Sequence, residues 1–275
     1  MSPPCPYGVA YLGPEGTFTQ EAAIRRFGGE ASSVPCASID QVFRAVEGRS
    51  ADHGVVPVEN STEGSVGRTL DLLVATPLRI CGEVELRIHQ HLLRRGPNLA
   101  GLTRVYSHAQ SFAQCNEWLN RNLPGIERLP VASNAEAARR AAGEAAAAAI
   151  AGAGAATIYD LTVVSRDIED EPDNTTRFLV LGEQEMARSG RDKTSLVMSA
   201  PNRPGAMVAL LRPLGRHGVS MTKLESRPSR KGLWDYVFFA DIEGHAQDTR
   251  VAWALAEIRE RAGFMKVLGS YPAAP

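Results

Sequence analysis

Four times in its first half the chain sets a hydroxyl three positions ahead of Gln or Glu, at the mouth of an amphipathic stretch. The pairs are Thr17 with Gln20, Ser38 with Gln41, Ser107 with Gln110 and Ser133 with Glu136. Each has the form of a capping box, in which the hydroxyl accepts from the amide three residues on and the longer side chain reaches back. Apolar positions follow at helical spacing, namely Ile24 and Phe27, Val42 and Val46, Phe112 and Cys115, Ala137 and Ala138. Short β-type runs occur at residues 9–12, 54–58, 104–106 and 179–181. Strands alternating with capped helices predict an α/β fold, with crossover helices wrapping the sheet.

Alanine's propensity argues for one long helix over residues 141–156, but Gly152 and Gly154 interrupt it. The expectation is a helix through about Ala142, a buried strand at 146–150, and a new helix from about Gly152 toward Leu161. After Leu181 the run GEQEMARSGRDK is polar and aperiodic, as a linker would be. Beyond it the pattern reads strand 194–199, helix 205–216, strand 220–227, strand 233–242, helix 247–261 and strand 265–269. That βαββαβ order predicts a small ferredoxin-like domain. A chain of 275 residues accommodates two such units, divided here as 1–187 and 188–275.

Thirty basic and 31 acidic residues leave a net charge of −1, so no bulk field invites nucleic acid or an anionic membrane. Cys5, Cys36, Cys81 and Cys115 are scattered with no Cys-x-x-Cys pair, which favours free thiols in a reducing compartment over zinc or a redox couple. The N-terminus lacks a leader pattern, and no run of about 18 apolar residues occurs. A soluble cytoplasmic protein is expected.

The densest chemistry lies in Asp173-Asn174-Thr175-Thr176-Arg177-Phe178, just before the apolar run at 179–181. It sets a neutral hydroxyl, Thr176, next to the fixed cation of Arg177, a pair able to bind an anion and to donate a hydrogen bond without an ionised acid. The plainer alternative is a turn entering a strand. GPEGTF at 13–18 joins a strand to a helix start, where glycines admit a ligand and free amides attract an anion; it also suits an ordinary βα turn. VPVENSTEGS at 56–65 packs polar groups behind a buried strand, where open α/β sheets bind ligands. SHAQSFAQC at 107–115 invites a Ser or Cys nucleophile, but a capping role for Ser107 and the lack of a residue to orient His108 argue against it. His89 and His91 share a strand face with no third ligand evident, so no metal site is assigned. Neither a Walker A loop nor a strand-led G-x-G-x-x-G is present.

Together, GPEGTF, VPVENSTEG (56–64), SHAQSFAQC, AAIAGAGAATIYDL (148–161) and NTTRF (174–178) resemble, in order, the segments of prephenate dehydratases. NRPGAMVALL (202–211) and ESRPSR (225–230) resemble the ligand-binding turns of that family's C-terminal ACT regulatory domain. The resemblance implies a cofactor-free, metal-free enzyme that converts prephenate to phenylpyruvate, water and carbon dioxide in phenylalanine biosynthesis. Its catalytic domain would have two periplasmic-binding-protein-like lobes, and its subunits would form a homodimer or homotetramer. By motif, Thr176 takes the catalytic role. Thr17, Glu59, Asn60, Ser61, Ser133, Thr175, Arg177 and Phe178 fall at substrate-binding positions. L-Phenylalanine, as inhibitor, would bind Asn202, Pro204, Gly205, Ala206 and Met207 from one subunit, with Glu225, Ser226, Arg227 and Pro228 from another. Asn134, Thr19 and Met207 depart from the commoner family residues, the last within the regulatory turn. Arogenate dehydratase and a non-catalytic amino-acid sensor remain alternatives.

Overall fold

The computed structural model describes residues 7–29, 31–200, 203–229 and 236–274. The chain divides into two compact units, one of Met1–Val66 with Val84–Phe178 and the other of Gly67–Glu83 with Leu179–Pro275.

The first unit is built on two sheets. β1 (Gly8–Leu12), α1 (Phe18–Phe27), β2 (Ser32–Cys36), α2 (Ile39–Glu47), β3 (His53–Asn60) and β4 (Gly64–Ser65) open the chain. α3 (Gly67–Ala75), which belongs to the second unit, and β5 (Arg79–Arg87), which passes back into the first unit at Val84, follow. The second sheet draws on β6 (His91–Arg94), β7 (Arg104–His108), β8 (Glu127–Val131), β9 (Ala147–Ala151) and β10 (Thr162–Ser165). Its helices are α4 (Ala109–Gln114), α5 (Asn116–Asn122), α6 (Asn134–Gly143) and α7 (Ala153–Ile158). β11 (Thr175–Gly182) then returns to the first sheet, whose order is β2-β1-β3-β11-β5 with β4 beside β3; the second runs β10-β6-β9-β7-β8. Two α/β lobes result, as the resemblance implied.

The alanine-rich stretch breaks where the glycines predicted. β9 is buried at every position in the middle of its sheet. Ala137, Ala138 and Ala141 of α6 pack in one cluster with Ala147, Ala149 and Ala151, small side chains letting helix and strand approach closely.

Three of the four expected caps form. Thr17, Ser38 and Ser133 each accept from the amide three residues on, at 3.4, 3.2 and 3.1 Å. The return bonds of Gln20 and Gln41 land one residue earlier than a capping box requires, on Gly16 N and Ala37 N. Ser107 departs from expectation. It lies within β7, paired with Pro130 of β8, and His108 is the cap, its Nδ1 accepting from Gln110 N at 3.4 Å. The ladder extends to His108, so the helix starts one residue later.

The second unit contains β12 (Asp192–Ser199), α8 (Ala206–Arg216), β13 (Met221–Pro228), β14 (Tyr236–Glu243), α9 (Thr249–Arg261) and β15 (Phe264–Pro272). Its antiparallel sheet runs β13-β14-β12-β15, and Leu196, Leu210, Ala240 and Leu255 lie in its core. The βαββαβ reading is realised. This unit also holds Gly67–Glu83 firmly. The Lys193 ammonium donates to both oxygens of Glu83, at 2.7 and 2.9 Å, and the Glu83 side chain is wholly buried. Lys266 Nζ donates to the carbonyls of Leu73, Val74 and Thr76 at the end of α3, a cationic cap on the negative end of the helix. Gly269 lies against Ile80, whose carbonyl oxygen would be 2.2 Å from any Cβ added there.

Candidate active site

Thr176 sits near the start of β11, beside the end of β3. Asn60 Nδ2 donates to Thr176 Oγ1 at 2.9 Å and to Asn174 Oδ1 at 2.7 Å. Asn60 Oδ1 accepts from the amides of Thr62 and Glu63, both at 3.1 Å, and from the Thr62 hydroxyl at 2.6 Å. Because a carboxamide oxygen only accepts and its nitrogen only donates, those amides fix which way Asn60 points. Thr176 Oγ1 therefore receives a hydrogen bond, and its own proton is left to be donated elsewhere.

That hydroxyl borders a cleft of about 220 Å³ lined from both lobes, small beside the roughly 300–1,000 Å³ of many ligand sites. One wall carries Thr17, Asn60, Thr176 and Phe178; the other carries Gln90, His108, Gln110, Ser111, Gln114, Ser133 and Asn134. The capped N-termini of α1 and α6, two ten-residue helices, border it through Thr17 and Ser133, so positive ends of two helix dipoles adjoin the cleft. No carboxylate is among the lining residues, and His108 supplies their one imidazole. Its Nδ1 acts as an acceptor, which makes the neutral form an Nε2–H donor.

The second wall is a network of neutral amides and hydroxyls. Asn134 Nδ2 and Gln90 Nε2 both donate to Ser111 Oγ, at 2.8 and 3.1 Å. Asn134 Oδ1 accepts from the Ser107 hydroxyl and the His108 amide. Gly152 lets the loop after β1 close on the second lobe, since a Cβ there would lie 2.7 Å from Phe18 Cε1. The Tyr159 hydroxyl donates to Glu15 O at 2.9 Å. Two of the recognised sequence segments thus pack on each other.

The structure brings together Thr17, Asn60, Ser133, Thr176 and Phe178, and not the remainder of the expected set. Arg177 does not line the cleft. Successive strand side chains face opposite ways, and its guanidinium lies 3.9 Å from Glu59 Oε2 instead. Thr175 and Ser61 brace the strands, with Thr175 N donating to Ser61 Oγ and Ser61 N to Thr175 O. Sequence reasoning missed Gln90, Gln110 and Gln114. The i, i+4 spacing of the last two was the available signal.

His89, expected to lack further ligands, lies 2.8 Å from Glu169 Oε1 and 3.2 Å from Asp167 Oδ1. Glu169 Oε2 accepts from Gln90 N, so the cluster braces the two connections between the lobes. Burial pushes the nearby His91 imidazole below its usual range, outweighing the carboxylates of Asp167 and Glu169. Burial also raises the Cys115 thiol far above the normal range, unsuited to a nucleophile. In the first turn of α6, Glu136 is held down to about 2 by hydrogen bonds from Arg139 and Arg140.

Of the expected effector residues, Asn202 lies outside the described residues. Pro204 and Gly205 are exposed at the start of α8, and Gly205 adopts φ +76°, a region that favours glycine. Ala206 is half-buried, and Met207 packs against the sheet's core. On β13, Glu225 and Arg227 share the half-buried face, while Ser226 and Pro228 are exposed on the other.

A family model described as prephenate dehydratase matches residues 9–186, and one described as ACT domain matches residues 194–260. The bifunctional chorismate mutase/prephenate dehydratase of Neisseria gonorrhoeae is 58% identical over 272 residues, spanning 98% of this chain and 75% of that protein. The prephenate dehydratase of Arthrobacter aurescens, solved in complex with L-Phe, has a TM-score of 0.89 at 36% identity, covering 96% of this chain and 89% of that one. GqqA, described as a novel type of quorum quenching acylase, has a TM-score of 0.88 at 30% identity, covering 97% and 98%. With its two α/β lobes, its βαββαβ unit and these matches, the chain belongs to the prephenate dehydratase family and carries a C-terminal ACT domain.

Proposed function

We propose that the cleft converts prephenate to phenylpyruvate, with Thr176 donating a hydrogen bond to the departing ring hydroxyl. The bond from the ring to its carboxylate breaks, and its electron pair enters the ring as the carbon–oxygen bond opposite breaks. Carbon dioxide and water leave, the latter completed by a proton from Thr176 that solvent restores. Aromatisation drives the step, so the protein mainly orients a dianion and assists one leaving group. The orienting bond from Asn60 carries this reading, because it commits Thr176 Oγ1 as acceptor and frees its proton.

Thr17, Ser133 and the helix N-termini they cap are suited to the substrate carboxylates. Phe178 supplies an apolar wall, and His108 Nε2 a further donor. Glu59, Ser61, Thr175 and Arg177 act as braces of the strands that carry Asn60 and Thr176. The lack of any lining carboxylate favours the keto acid over arogenate, whose ammonium would need one. Comparing kcat/KM for the two substrates tests that preference.

In this reading residues 188–275 bind L-phenylalanine at the positions named above, supported by the ACT match and by the L-Phe complex of the Arthrobacter relative. A homodimer or homotetramer in the cytoplasm belongs to the same proposal. Cys36, Cys81 and Cys115 are buried and in no disulfide, and among the described residues no helix is long and apolar enough to cross a membrane.

The test is Thr176→Ala. It is expected to lower kcat by about 10²-fold or more, the usual scale of a lost proton donor, with KM within several-fold. Thr176→Ser is expected to keep much of the rate. A raised KM with unchanged kcat overturns the assignment.

A further inference from the structure

The catalytic and regulatory readings share one stretch of chain. Asn60, which orients Thr176, pairs with Gly64 where β3 meets β4, and Glu59 pairs with Ser65. Val66 N then donates to Val58 O at 2.8 Å, and α3 begins at the next residue, Gly67. On that first turn lies the guanidinium of Arg227. An ideal Cβ on Gly67 would stand 2.7 Å from both terminal nitrogens and 3.0 Å from Cζ of Arg227. The terminal nitrogens are nearer than Cζ, so the guanidinium meets the glycine tip-first, with both Nη atoms against it. One turn along, on the same helical face, Asp71 Oδ1 is 3.3 Å from Arg227 Nη2. Both side chains are largely buried, at 23% and 18% exposure.

Arg227 belongs to the half-buried face of edge strand β13, between Glu225 and the strand's end. Its Nε–H is buried without a hydrogen-bond partner. An unsatisfied buried donor weakens the docked arrangement, so a modest shift in β13 can release it.

We infer that Arg227 is the lever of effector control, seated on Gly67 and Asp71, and that moving it shifts the first turn of α3 and, through β4, the Asn60 bond to Thr176. This rests on the reading that phenylalanine binds at β13. Binding beside Glu225, Ser226 and Pro228 pulls on the strand that holds the guanidinium. Helix α3 responds as a rigid element, and covalent continuity through Val66 and Ser65 carries the displacement to the loop that fixes Asn60. The active site is then detuned without any effector reaching it.

Gly67→Ala and Asp71→Asn in the full chain test this. The alanine displaces only the far end of a flexible side chain and suits a helix, so folding should survive, as thermal melting will check. Turnover is measured with and without saturating phenylalanine, and phenylalanine binding by calorimetry. Allosteric coupling commonly amounts to roughly 5–150-fold. In both variants the inhibition factor is expected to fall below about 2 while phenylalanine still binds, and Asp71→Glu, which keeps the ion pair, is expected to restore inhibition. Unchanged inhibition in both variants overturns the inference. Loss of phenylalanine binding in both also overturns it, by making these residues part of the effector pocket. A parent protein that neither binds phenylalanine nor is inhibited by it defeats the regulatory reading itself, a result distinct from either.

Discussion

Two strands carry the same pair, a small hydroxyl followed by arginine: Thr176 and Arg177 on β11, Ser226 and Arg227 on β13. Pleating splits each pair between opposite faces, and the two strands use opposite halves. On β11 the hydroxyl faces the cleft and meets a neutral carboxamide, while the guanidinium turns to Glu59. On β13 the hydroxyl is exposed, and the guanidinium lies half-buried against Asp71 and Gly67. On the reading proposed above, neutral hydrogen bonds serve the chemistry and paired charges serve the control. The former are indifferent to salt and orient through fixed geometry; the latter, being largely buried, are screened by salt only in part and can be released.

The sharpest way to break this contrast is to put a charge on the neutral side. In Asn60→Asp a carboxylate can only accept, so the Thr176 proton turns toward it and away from the substrate. The drop in kcat should match that of Thr176→Ala to within about tenfold, and steady-state kinetics would expose a mild effect as a failure of the orienting role. A smaller effect is expected from salt. Raising sodium chloride from 0.05 to about 0.5 M shortens the Debye length well below 10 Å. Inhibition by phenylalanine should weaken measurably, within about twofold, while uninhibited kcat barely moves; equal sensitivity of both would erase the distinction.

The smallest effect concerns stability and asks whether the first unit avoids buried charge outside the cleft too. Burial lowers both His53 and His91, so the folded protein takes up their protons less readily than the unfolded chain, which titrates near 6.5. The stability they contribute is complete above about pH 6.5 and erodes as pH falls below it. Melting temperature should decline by a few degrees from pH 7.5 to 5.5, and His91→Gln should flatten that slope. A slope unchanged in the variant would exclude His91 as its source.

Much of this was legible in the sequence. Hydrophobic pattern and turn signals placed the βαββαβ unit and the all-alanine strand β9, because Gly152 and Gly154 outweigh alanine's propensity. β2 and β8 escaped notice because each is short and contains a proline, Pro35 and Pro130, tolerated at the sheet edges where the two strands lie. The cleft was half visible. Thr176, Asn60 and Ser133 lie in recognisable motifs, but the side to which Arg177 turns depends on strand phase, which adjacency in sequence does not convey. Gln90 was overshadowed by its histidine neighbours.

The attachment of Gly67–Glu83 to the C-terminal unit was the least legible feature, since its partners Lys193 and Lys266 lie more than a hundred residues away. It has a practical consequence for exchanging modules between relatives. A chimera joined at residue 188 would inherit a sealed-in carboxylate at Glu83 with no cation guaranteed opposite it, and a helix end stripped of its lysine. Two junctions are needed, so that the short inner segment travels with the module it is packed into.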